Sequence, residues 1–151
     1  MVSTTESSAV RRAKKDWQEL EELSEHGVTG APEVGNPFAG TVLLVPAQGS
    51  LYHGARLELA VELPAPYPLT PPKAVFRTPV YHPNVSTSGE VGLPLLSKDW
   101  SPAESLRTVV LSILALLGDP DVNDPVRADA AELYRTDYDA YTARVRQVAL
   151  G

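Results

Sequence analysis

Five prolines fall within nine residues of this chain: Pro64, Pro66, Pro68, Pro71 and Pro72. Proline fixes φ and has no amide hydrogen, so this segment cannot run inside a β-ladder and reads as a rigid surface loop. Strand patterns flank it. Leu57, Leu59, Val61 and Leu63 alternate with polar or small neighbours before the loop, and Lys73 to Thr78 alternates around Val75 after it. Thr41 to Val45 is a third run, β-branched and apolar. The links at Pro46 to Gly49 and Pro64 to Pro72 are short, which favours antiparallel neighbours in a meander.

Helical spacing begins and ends the chain. Val10, Ala13, Trp17, Leu20 and Leu23 recur at intervals of three and four, predicting an amphipathic helix from about Ser8 to Glu25. On its polar face Arg11, Arg12, Lys14 and Lys15 precede Glu19, Glu21, Glu22 and Glu25. That order opposes the helix dipole. Two readings stand: a binding role for the basic end, or a solvated face with pairs such as Lys15 to Glu19. Gly27 to Asn36, rich in glycine and proline, reads as loop. Pro79 to Pro102 shows no regular element, and so long an irregular stretch points to a packed, functional loop. Leu106, Val109, Val110, Ile113, Leu114 and Leu117 form the broad apolar surface of a buried central helix, stopped by Gly118, Asp119 and Pro120. A short helix over Ala128 to Tyr134 follows, then another capped by Thr136 or Asp137 and carrying Tyr138, Tyr141, Val145 and Val148. The expected class is α+β: an N-terminal helix, an antiparallel meander of about four strands, a long loop, a central helix and C-terminal helices.

A length of 151 residues predicts one domain over 1–151, with 1–7 a disordered Ser/Thr-rich lead-in. The start lacks the basic and apolar regions of a secretory signal. A net charge of −6 argues against nucleic acid as a partner. No run approaches the roughly 18 to 20 apolar residues of a membrane span, so no membrane insertion is expected. The absence of cysteine excludes disulfides and thiolate metal sites and fits a reducing compartment. His26, His53 and His82 lack metal-ligand spacing. Neither a metal nor a cofactor is expected.

Several blocks then become specific. Val80-Tyr81-His82-Pro83-Asn84-Val85, Tyr67-Pro68-Leu69-Thr70-Pro71-Pro72-Lys73, Trp100-Ser101-Pro102-Ala103, Leu116-Leu117-Gly118-Asp119-Pro120 with Asp124-Pro125, and Ala131 to Asp137 occur in this order. Together they resemble the ubiquitin-conjugating (UBC) enzymes along nearly the whole chain. The resemblance implies a UBC-like fold, with 79–102 as the active-site-type loop. In that family a cysteine eight residues beyond the Asn of His-Pro-Asn carries ubiquitin as a thioester. Here position 92 is glycine, and Pro94 stands where active members commonly have Asp.

Glycine supplies neither nucleophile nor leaving group, so cysteine-thioester transfer is excluded. His82, Asn84, Gly92 and Asp124 form a degenerate site. His82 is expected to brace the loop rather than act as a base. Asn84 can brace it too, or donate to an oxyanion as the family's Asn is held to do. Asp124 matches an acidic residue that in active members helps position or deprotonate the incoming lysine, and is expected here to cap the next helix or brace the Asn123 to Pro125 turn. Ser86, Thr87, Ser88 and Ser97 lie nearby in sequence without an accompanying base.

The resemblance also implies a docking surface for the activating enzyme and ligases: Arg11, Lys14 and Lys15 on the first helix, Leu69 in one loop, and Ser101, Pro102 and Ala103 in another. Leu69 has two readings, an outward anchor or an inward-packing loop residue. The functional expectation is an inactive conjugating-enzyme variant that binds ubiquitin or a ubiquitin-like modifier, an active conjugating enzyme, or a ligase. A conjugating enzyme whose cysteine was replaced, or which uses another nucleophile, is the first alternative. A UBC-fold adaptor unrelated to ubiquitin is the second. The implied location is cytoplasmic or nuclear.

Overall fold

The structure is a computed structural model and describes residues 6–151. Helix α1 (Ser8–Glu19) starts at Ser7, whose hydroxyl accepts the Val10 N–H at 3.1 Å. Most of the expected lead-in lies outside the described residues; Glu6 and Ser7 are tied to α1. The single helix predicted to Glu25 instead tightens into a 3-10 segment, Leu20–His26. Three residues per turn put Leu20 and Leu23 on one face, and both are buried. Gly27 ends the segment at φ 76°, and a Cβ there would lie 2.1 Å from Val45 O.

The main correction concerns 27–36. It is not loop throughout: β1 (Val28–Glu33) pairs antiparallel with β2 (Asn36–Leu44). Glycine and proline are tolerated because β1 is an edge strand, and the register shifts between Pro32 and Glu33. Gly40, opposite Pro32, allows the closest approach: its Cβ would meet Ala31 O at 2.4 Å and Trp17 Cη2 at 2.6 Å. The Trp17 indole packs here and donates to Pro37 O at 2.8 Å. β3 (Leu57–Glu62) and β4 (Lys73–Phe76) complete the meander in the order β1-β2-β3-β4.

Val42, Leu44, Leu57, Leu59, Val61, Ala74 and Phe76 form the buried face of the sheet. They share one core with Ala13 and Trp17 of α1 and with Leu106, Val109, Val110, Ile113 and Leu117 of α2 (Leu106–Gly118). Each fully buried aliphatic side chain contributes about 1.5–3 kcal/mol before chain entropy is charged against it. Helices α3 (Ala128–Thr136) and α4 (Tyr138–Leu150) follow, and Asp137 caps α4 by accepting the Ala140 N–H at 3.0 Å. Between β4 and α2 the chain is irregular apart from isolated bridges and a 3-10 turn at Pro94–Leu96. The proline segment stays outside the sheet, although Tyr67 within it is buried.

Candidate functional site

The loop after β4 is held by side chains that face inward. His82 is fully buried between two backbone partners. Its Nδ1 accepts the Asn84 N–H at 2.9 Å, so Nε2 carries the proton and donates to Leu116 O of α2 at 2.6 Å. Burial lowers its pKa to about 4, against the opposing effect of the Leu116 carbonyl. A neutral imidazole with both nitrogens engaged is a brace, as expected.

Asn84 is also buried, and its amide is committed at both ends. Oδ1 accepts the Asp121 N–H at 2.8 Å, while Nδ2 donates to Asp121 O at 2.9 Å and reaches Asp124 O at 3.4 Å. Of the two roles open to it, the structure shows the bracing one. Asp124 enters this arrangement through its backbone carbonyl. The side chain that shapes the turn is Asp121, whose Oδ1 accepts the Asn123 N–H at 3.0 Å.

Gly92 lies beside these groups, its N–H donated to Asn84 O at 2.8 Å. The space a side chain would need is taken. An added Cβ would fall 2.6 Å from Val126 Cγ1 and 3.4 Å from Cγ2. The Val126 backbone is fixed, since its N–H and that of Arg127 both donate to Pro83 O at 2.9 and 3.0 Å, while its side chain is 49% exposed and can turn about χ1. Nothing in the sequence pattern singled out Val126; only the return of the chain before α3 brings it over Gly92. Three of the nearby hydroxyls bond each other or the backbone. Ser86 and Ser88 pair with each other at 3.0 Å, Ser97 Oγ contacts Pro94 O at 3.4 Å, and among the described residues no histidine or carboxylate side chain bonds to them.

The expected docking residues take no part in these bonds. Arg11, Lys14, Lys15, Ser101, Pro102 and Ala103 are exposed. Leu69 is 69% exposed, so it does not pack inward. Lys14 pairs with Glu6 and Lys15 with Glu19, the latter at 3.6 Å. Arg12 turns the other way, toward buried Asp16 and the carbonyls of Pro102 and Glu104. Sequence reasoning did not single out Asp16; its i,i+4 spacing from Arg12 was the one signal that could have found it.

Fold and site together define a UBC-type α+β domain whose active-site loop is braced and has no cysteine. Residues 12–149 match the family model described as ubiquitin-conjugating enzyme. Ubiquitin-conjugating enzyme E2 13 of Schizosaccharomyces pombe is 37% identical over 137 residues, an overlap covering 89% of this chain and 93% of that protein. The E2 domain of a Toxoplasma gondii ubiquitin-conjugating enzyme superposes with a TM-score of 0.84 at 30% identity, covering 93% of this chain and 95% of that one. A ubiquitin-conjugating enzyme homologue from Plasmodium yoelii gives 0.88 at 30%, covering 97% and 96%. This chain belongs to the ubiquitin-conjugating enzyme family.

Proposed function

We propose that the chain is a catalytically inactive conjugating-enzyme variant, acting as a binding or regulatory module for ubiquitin, a ubiquitin-like modifier, an active conjugating enzyme or a ligase. The observation that carries this reading is the absence of cysteine from the chain, with glycine at position 92, eight residues beyond Asn84. The Val126 methyl, 2.6 Å from where a Cβ at position 92 would lie, supports it, since a side chain there would have to turn its neighbour aside. The sequestered Asn84 amide supports the same reading, since its polar atoms are spent on the Asp121 turn. Exposed Leu69, Pro102 and Ala103 near a basic helix end suit a partner with an apolar contact and acidic groups at its rim.

Incubation with ubiquitin-activating enzyme, ATP and ubiquitin tests the inactive reading. No covalent adduct is expected; an adduct cleaved by reductant or hydroxylamine would overturn it. Titration of labelled ubiquitin followed by NMR then separates a modifier-binding module, which shifts the spectrum, from an unrelated adaptor, which does not.

A further inference from the structure

The exposed docking residues come from three chain segments, α1 and two loops. Beneath them lies Asp16, 1% exposed. A carboxylate taken out of water must be paired, and losing one partner leaves the charge uncompensated. Asp16 has two side-chain partners from different elements. Arg12 Nε, one turn earlier on α1, lies 3.2 and 3.1 Å from its two oxygens, and the Tyr67 hydroxyl from the proline loop donates to Oδ2.

The same guanidinium continues outward. Arg12 Nη1 donates to Pro102 O at 2.7 Å and Nη2 donates to Glu104 O. A planar fork with donors on both sides spans α1 and the second loop at once, which a single lysine ammonium cannot reproduce. The circuit closes on the far side. Trp100 donates its indole N–H to Pro68 O at 2.9 Å, and its ring lies 5.9 Å from that of Tyr67.

We propose that Arg12, Asp16 and Tyr67 form a positioning unit that locks α1, the 66–69 loop and the 100–104 loop into one preformed docking platform. It rests on the docking reading of these segments and adds the device that couples them. The coupling runs through the shared carboxylate. When Tyr67 lets go, Arg12 must satisfy Asp16 alone and its hold on Pro102 and Glu104 weakens; when Arg12 is lost, Tyr67 is drawn to an underpaired charge and shifts the proline loop. Preformed loops spare a partner the entropy of ordering them.

Amide exchange by NMR in the full chain, with Tyr67→Phe and Arg12→Lys, tests the coupling. The reporters are the Leu69 N–H, bonded to Pro66 O at 2.8 Å, the Glu104 N–H, bonded to Ser101 O at 2.9 Å, and the Trp100 indole N–H. Each variant should speed exchange in both loops by about tenfold or more, while Leu59 in β3 exchanges as before. Acceleration confined to the loop that lost its own bond would overturn the proposal, as would a uniform rise that includes Leu59. A binding arm uses ubiquitin-loaded activating enzyme. If it binds the unaltered chain, Tyr67→Phe should weaken binding without touching an exposed contact residue, while Leu69→Ala should weaken it and leave exchange at Glu104 unchanged. If activating enzyme does not bind at all, the docking reading fails and the exchange result still decides the coupling.

Discussion

The contact between Val126 and Gly92 can be weighed by placing the smallest side chain there. A Cβ at position 92 would lie 2.6 Å from Val126 Cγ1, about 1 Å inside an ordinary carbon–carbon contact. The backbone bond from Val126 to Pro83 leaves χ1 rotation as the main relief, and displacing a β-branched side chain from its rotamer costs about 0.5–1.5 kcal/mol. Against this, Gly→Ala restricts the unfolded chain and stabilises by about 0.4–1 kcal/mol where the backbone accepts it. Gly92 has no positive φ, so the backbone does accept it. Gly92→Ala alone should therefore sit near zero. In a Val126→Ala background the overlap is gone, and the same change should stabilise by the full entropic amount. Urea unfolding of the four proteins in this cycle should show a coupling of about 1 kcal/mol. Agreement with additivity to within about 0.3 kcal/mol would refute the reasoning. A second assay follows from the absence of any other cysteine. Gly92→Cys should react with a small disulfide reagent more slowly than Gly92→Cys with Val126→Ala, which removes the methyl groups beside the thiol.

Other outcomes follow from the braced loop and the sheet edge. His82 has a folded pKa of about 4 against an ordinary 6.5, so the unfolded chain binds more protons between these values. Its contribution to stability is present above pH 6.5 and is lost as pH falls toward 4, on the order of 3 kcal/mol in all; His82→Gln should flatten that part of a urea-midpoint profile. Asn84→Ala removes both side-chain bonds to the Asp121 backbone and should cost about 2–3 kcal/mol in urea melts, with faster exchange at the Asp121 amide. Gly40→Ala should cost about 3 kcal/mol and redshift Trp17 fluorescence, because its Cβ meets the Ala31 carbonyl and the indole together.

The helices were legible because burial repeats at their own period. Central α2 was readable from Leu106 to Leu117, and the proline block was readable as a segment that could not enter the sheet. β1 was not, since Gly30 and Pro32 count against a strand unless it lies at an edge and close against Leu20, Val42 and Gly40. Lineage and the empty nucleophile position were equally plain, because motif spacing and the absence of a sulfur are properties of the chain order itself.

Which atoms those motif residues would spend, and on what, was decided by the tertiary structure. Asn84 meets Asp121, Tyr67 meets Asp16, and Val126 meets Gly92 across separations of roughly 34 to 51 positions, and no local pattern encodes such pairings. Sequence alone determined that position 92 carries no chemistry. Only the fold decided what lies against it, because Val126, whose backbone N–H donates to the Pro83 carbonyl, sets a methyl group where the side chain would start.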